Sequence, residues 1–494
     1  MSSPYSLDRK ELLNCPGISP ASKKITEDII RYDADEHHCI YRAPSIHNHL
    51  SHHLLAVYDL GGRPSILQNI EKRRQTMQRP ILLDPSDKDI ILTDENWTQY
   101  LDNPNAYYGF VKFFSTSIRN HGVAATLEQY IFSDRARDEG KMIIRTVSGA
   151  LHPLIQIGYS IEFGHDQLVA TGLAMGAVTK PFPAVLFHYD NPPAGDVATN
   201  DSKPRNQQPS RGPSLLALLK DIYDSSQLAP VMPYDREKTI YDNLRDFMAS
   251  DRPQETRHII SRYFVDYSSG EVEFETKVEE CIWIAVLLTF ATGKEGRKPR
   301  IDFYLMHLVT SSIFFPSIFK VLRRPEDKAN LLRGFLVNMA LLTILRGRPL
   351  IKPALLMSYS ETPRPPVRVS TTPDPTCLGD PANDADYHPW PDIIATALPF
   401  PDAHLPKTLR TLVYAAQHYG DAAPGSAIGA FVAGRPSDQL VETHTGTAQM
   451  DGTIFVRAAG MMMDYMGWAT YGQKPRTDWD RSGLGWDDAW NDGE

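Results

Sequence analysis

Cysteine is scarce in this sequence. There are four in 494 residues (Cys15, Cys39, Cys281 and Cys377), and none forms a CxxC pair. That excludes the signal of a zinc knuckle or disulfide scaffold and makes a reducing compartment the expectation. Basic blocks are absent too: 51 Lys and Arg stand against 60 Asp and Glu, a formal net charge of -9. A nucleic-acid partner is therefore not expected. The opening MSSPYSLDRKELL lacks the apolar run of a secretory signal. The longest apolar stretch, Cys281 to Ala291, is too short to span a bilayer and reads as a buried helix. A cytoplasmic chain without a membrane span is expected. Short β-rich runs are rare, 89–93 (DIILT) being one, and no repeat of fixed period is seen.

The chain has 42% hydrophobic and 22% charged residues, enough apolar material for a large core. About 150 residues per domain would give roughly three domains. Apolar periodicity near 3.6 recurs over 46–60, 124–132, 149–163, 238–249, 255–265, 278–291, 302–323, 328–346 and 403–419. The expected fold is therefore all-α. Two polar, Pro-rich segments, 190–214 and 361–392, read as flexible insertions. Each is flanked by helices carrying histidines, so one helical domain, 1–494, interrupted by loops, is preferred to several domains. The acidic tail 475–494 carries Trp479, Trp486 and Trp490 and reads either as a docked irregular arm or as a disordered end.

No GxGxxG after a strand, Walker GxxxxGK[ST], GxSxG or HExxH is present. This shifts the expectation from nucleotide and flavin sites toward a metal or cofactor-free oxygen chemistry. Of 16 histidines, six fall between 37 and 53. In SIHNHLSHHLLAVYDL (45–60), Ile46, Leu50, Leu54 and Val57 mark the buried line of a helix that stops at Gly61-Gly62. His53 falls within that line, His49 lies beside it one turn away, and His52 points outward. Two imidazoles one turn apart can share a metal, or can be a pair of hydrogen-bonded core histidines.

His152, Ile155 and Tyr159 share a face in GALHPLIQIGYSIEFG (149–164). His307 sits in the apolar DFYLMHLVTSSIFF (302–315), where a lone histidine is ordinarily a core residue. In DAHLPKTLRTLVYAAQHYG (402–420), Asp402 can cap a helix on which His404 and Lys407 are neighbours at i,i+3. A lysine there is ordinarily solvated. Jointly, histidines in apolar helices from four distant parts of an all-α chain match the way bundles build interior metal sites. Burying them with no common partner would be costly.

These segments, with RKPRIDFYLMHLVTSSIFFPS (297–317) and LTILRGRPLI (342–351), occur in the order found in the questin oxidase-like proteins, which the chain resembles over nearly its whole length. These proteins act in fungal aromatic polyketide pathways and have bacterial relatives. The resemblance implies oxygenative cleavage of an anthraquinone ring. It further implies a mononuclear iron, Fe(II), held by four histidines and a carboxylated lysine. Carried over, the Asn-His motif is Asn48-His49, the His-Pro motif gives His152, and His-Leu-Val-Thr gives His307. The His-x-x-Lys motif gives His404 and Lys407. His53 becomes an alternative ligand or a neighbour of the site. Many bacterial relatives carry a second histidine where this chain has Tyr159, which is the candidate proton donor.

Some family members were described as NADPH-requiring Baeyer–Villiger oxidases. An NADPH-dependent reaction without bound iron is thus the second reading, and a non-enzymatic helical pathway scaffold the third. No flavin is expected. The two insertions and the acidic tail resemble the subgroup of aflatoxin- and sterigmatocystin-type biosynthesis, which converts an anthraquinone toward a xanthone. Phe303, Tyr304, Phe314 and Phe315 are candidate walls for a planar substrate, or plain core.

Overall fold

The computed structural model describes residues 7, 12–41, 46–77, 80–82, 90–192, 212–229, 234–367, 372–433 and 439–491. These residues form an all-α fold. Among them the one sheet is a two-stranded antiparallel ribbon, His37–Tyr41 against Pro80–Leu82. The expected strand at 89–93 is not formed in its described part, 90–93. There the chain runs against a helix: a Cβ on Gly109 would lie 2.9 Å from the Ile90 carbonyl oxygen. A helix offers no free backbone ladder to pair with.

One hydrophobic core runs through the described residues from Leu7 to Trp479, and Leu484, Ala489 and Trp490 form a small satellite. The apolar stretch 281–291 is the buried end of the helix Glu271–Phe290. Pro325–Leu345 is long and apolar enough to cross a membrane, yet 94% of its most apolar window is buried inside the fold. Helix 302–323 divides into Met306–Ser312 and Phe315–Val321, with Pro316 opening the second piece.

Four helices position the site. Leu50–Asp59 packs on His152–Phe163, which packs on Met306–Ser312; that helix packs on His404–Tyr419, which returns to Leu50–Asp59. The four form a closed ring although they lie hundreds of residues apart.

Most of the 190–214 insertion, residues 193–211, falls outside the described residues. Of the 361–392 insertion, 368–371 falls outside the described residues; the described part is mostly exposed, with a turn of 3-10 helix at Asp384–Asp386 before the helix Trp390–Ala397. The described tail docks: Trp479 and Trp490 are buried, and Asp480 pairs in parallel with Asp302.

Candidate metal centre

The first ligand candidate enters through a side-chain brace. The Asn48 amide nitrogen donates to both carboxylate oxygens of Asp33, at 2.9 and 3.1 Å, while its carbonyl oxygen accepts from the Leu50 N–H at 2.9 Å. That Asx turn starts the helix at Leu50 and fixes His49 just outside it. The helix therefore begins later than the expected 46–60, and Ile46 is exposed rather than part of the buried line. His152 begins its helix after three successive left-handed residues, Gly149, Ala150 and Leu151, with φ of 57°, 57° and 61°. Two of these are non-glycine, a backbone strain of order 1 kcal/mol or more each. The strained turn aims the Gly149 carbonyl at His152 Nδ1, 2.8 Å away.

The ring of helices brings His49, His152, His307 and His404 together. Ring centroids are 4.7 Å apart for His49–His152, 4.8 Å for His49–His404, 4.9 Å for His152–His307 and 5.3 Å for His307–His404. A ligating nitrogen from each of His49, His152 and His404 lies within 4.8 Å of the other two. These three can hold a metal ion.

The tautomers favour that role. A carbonyl can only accept, so His152 Nδ1 carries a proton for Gly149, and His307 Nδ1 carries one for Phe303, 2.8 Å away. Their Nε2 lone pairs remain for the centre. His404 Nδ1 lies 3.4 Å from the Asp402 carboxylate, a carboxylate–histidine arrangement typical of metal sites. Nε2 of His307 and of His404 is buried with no hydrogen-bond partner among the described residues. His49 Nε2 and His152 Nε2 approach to 3.0 Å.

Lys407 is buried, and its Nζ has no hydrogen-bond partner among the described residues. Burial pushes its pKa down to about 7, against the pull of Asp402. Burial also lowers His49, His307 and His404, and the Lys407 charge lowers each further. All four histidines, His152 included, are thus held neutral, the form that ligates. For Asp402, burial raises the pKa, but His404 and the Trp479 N–H outweigh it and hold the carboxyl at about 2.

A buried ionic clamp joins three of the four ring helices. The Arg410 guanidinium donates to Asp59 at 2.7 Å and to Glu162, and spreads over the Tyr159 ring 5.2 Å from its centroid. Asp59 and Glu162 close the helices that His49 and His152 open, and Arg410 lies one turn beyond Lys407. None of the three stood out in the sequence. The available signal was a charged residue inside an otherwise apolar helix.

The remaining expected residues divide. His53 lines the cavity described below, and burial lowers it to about 4. His52, expected to point outward, is wholly buried and stacks between His152 and Tyr159, at 6.0 and 5.5 Å. The correction has a simple cause: every residue of Leu50–Asp59 is buried, so the helix has no outward face. Tyr159 sits behind His52, over Arg410, and is not part of the cavity wall. Of the four aromatic candidates, Phe303 and Tyr304 line the cavity. Phe314 and Phe315 are core: Phe314 fills the space over Gly158, and Phe315 stacks on Phe319.

The cavity itself measures about 1590 Å³ and reaches His49, His152 and His404. Part of its wall comes from the tail, where the Trp479 indole N–H donates to Asp402 at 2.9 Å. The model of the family described as Questin oxidase-like matches residues 46–412.

The chain belongs to the questin oxidase-like family. All five ligand candidates, from His49 to Lys407, fall inside the matched segment. Among curated relatives, a questin oxidase of Aspergillus fumigatus is 28% identical over 62% of this chain and 66% of its own length. A Baeyer-Villiger oxidase, AgnL3, of Paecilomyces divaricatus is 27% identical over 62% of this chain and 63% of its own. The oxidoreductase AflY of Aspergillus parasiticus is 27% identical over 56% of this chain and 52% of its own. The chain thus spans just under two thirds of the length of the first two relatives, and about half of the third.

Proposed function

We propose that this questin oxidase-like protein is an oxidoreductase that cleaves a ring of an anthraquinone-type aromatic polyketide with O2. In this reading an iron(II) ion is held by His49, His152, His307 and His404, with Lys407 as an anionic fifth ligand. The carrying observation is the convergence of four neutral, buried imidazoles: Nε2 of His307 and of His404 has no hydrogen-bond partner among the described residues, and Nε2 of His49 and of His152 face each other at 3.0 Å. Leaving such groups unsatisfied costs on the order of 1–3 kcal/mol each, and a shared metal removes that cost. The relatives' names, questin oxidase and Baeyer-Villiger oxidase, support the substrate class and reaction type. Bound iron would supply the one-electron chemistry that O2 needs to react with a singlet organic molecule.

The protein's own part is placement. The Gly149 and Phe303 carbonyls and the Asp402 carboxylate hold three imidazoles in one tautomer. Lys407, neutral in part near pH 7, adds CO2 through its amine lone pair and releases a proton, leaving a carbamate. That anion offers oxygen ligands and balances part of the metal charge. Phe303 and Tyr304 offer a flat aromatic wall to a planar ring.

The relatives named Baeyer-Villiger oxidase or monooxygenase favour a specific variant of this reading. Insertion of one oxygen atom leaves the other to become water, which takes two electrons from a reductant such as NADPH. Oxygen uptake by iron-loaded protein with a hydroxyanthraquinone, with and without NADPH, tests both. Uptake is expected only with iron, and dependence on NADPH selects the monooxygenase variant. Equal uptake by iron-free protein, or stoichiometric bound flavin, would overturn the proposal.

A further inference from the structure

Part of the cavity wall lies beyond the segment that defines the family. Thr477, Asp478, Trp479 and Arg481 of the tail line it, whereas the family match ends at 412. This arm is rigidly seated. Its backbone exchanges two hydrogen bonds with the 301–303 segment, Phe303 N to Asp480 O at 2.7 Å and Asp480 N to Ile301 O at 3.0 Å. Arg300 holds the Asp480 carboxylate at 2.6 Å and the Ser482 hydroxyl at 2.9 Å. Trp479 is tied to Asp402 from the other side of the strand.

Between these anchors stands Arg481. Its guanidinium lies 4.1 Å from the centroid of the Phe303 ring, which in turn sits 4.9 Å from the His307 ring and 5.3 Å from the His404 ring. Among the described residues Arg481 makes no ion pair, and the other cavity-lining acids are engaged elsewhere or exposed. Asp102 is taken by Arg145, and Asp402 by Trp479 and His404. Asp478, on the same arm, is exposed and is not paired with Arg481. Arg481 is exposed, and its guanidinium, stacked on an aromatic wall of the cavity, leaves its N–H groups free for a ligand. That geometry suits an anionic oxygen on a flat ligand.

We infer that Arg481 determines substrate specificity: it receives an anionic oxygen, phenolate or aryl carboxylate, of the aromatic substrate. The inference rests on the aromatic-substrate reading above and adds the ionisation state that the cavity selects.

The test is anaerobic absorbance titration of the full-length, iron-loaded protein with a β-hydroxyanthraquinone and with its methyl ether. The two ligands share shape but not the ionisable oxygen. A β-carboxyanthraquinone and its methyl ester form the second arm and separate phenolate from carboxylate. Wild type is expected to bind at least one acidic ligand more tightly than its ester or ether, and for the phenol with the red-shifted phenolate band. Arg481→Gln should weaken that acidic ligand about tenfold and leave the neutral partner unchanged. Arg481→Lys should restore part of the loss, because the charge remains. Equal weakening of acidic and neutral ligands by Arg481→Gln, or no weakening of either, would overturn the inference while leaving the oxygenase reading in place. Failure of wild type to bind any of the four would overturn both.

Discussion

At the scale of single residues, two buried cations carry opposite expectations. Lys407 has no carboxylate in contact, and its depressed pKa of about 7 fits a nucleophilic amine. Lys407→Ala is expected to bind iron poorly and to lose turnover, with partial rescue by added short carboxylates. Full iron content and full turnover in that variant would remove the lysine from the centre. Arg410, in contrast, is clamped by Asp59 and Glu162 and holds its proton at any working pH. Removing it strands two buried carboxylates, a loss of roughly 3–5 kcal/mol. Arg410→Met should show this as a lower denaturant midpoint, whether or not metal is bound. An unfolding free energy within about 1 kcal/mol of wild type would show that the clamp is dispensable. The sequence motifs named the four histidines that the ring of helices brings together, because each sits in a short, ordered local pattern. Arg410 stayed hidden because its partners are 351 and 248 residues away.

At the scale of elements, periodicity located most helices but misjudged their starts and faces. The expected helix 149–163 begins at His152, since three left-handed residues precede it. A repeat of apolar residues cannot report such a turn, and Ala150 and Leu151 are poor candidates for it. Likewise His52 was assigned to an outer face that the helix, enclosed by its neighbours, does not have. The C-terminal arm was legible only as aromatic and acidic; its docking depends on the Trp479–Asp402 bond across the fold. That bond orients the carboxylate that faces His404. Trp479→Phe keeps the ring and removes the donor, so helicity should persist while iron affinity falls about 10-fold, the effect expected of a lost outer-sphere contact. Unchanged affinity in a metal-competition titration would reduce the arm to a cavity wall.

At the scale of the whole molecule, the continuous core supports one folding unit, and we propose that the chain unfolds as such. A second buried ionic cluster lies apart from the histidines, on the helix Glu271–Phe290. Burial raises Glu280 to about 7, with Lys277 at 3.5 Å opposing and Glu273 reinforcing. The stability linked to this raised carboxyl is fully present below its ordinary value of about 4.5, and is lost as pH rises through about 7. Glu280→Gln should therefore gain melting temperature relative to wild type as pH rises from 5 to 8, a range spanning that window. A difference independent of pH would show that Glu280 titrates normally.

The family, the ring of four helices and the neutral imidazoles converge on one claim: the centre is built to hold a metal. Elemental analysis of protein purified from iron-replete medium, beside His152→Ala and His418→Ala, tests it most directly. His418 is the control, because it lies on the helix of His404 but bonds to the Tyr414 carbonyl, about 21 Å further along. The account predicts close to one iron per chain in wild type and in His418→Ala, and its loss in His152→Ala with helicity retained. Wild-type protein free of iron and unable to take it up, or His152→Ala holding iron as wild type does, would contradict it.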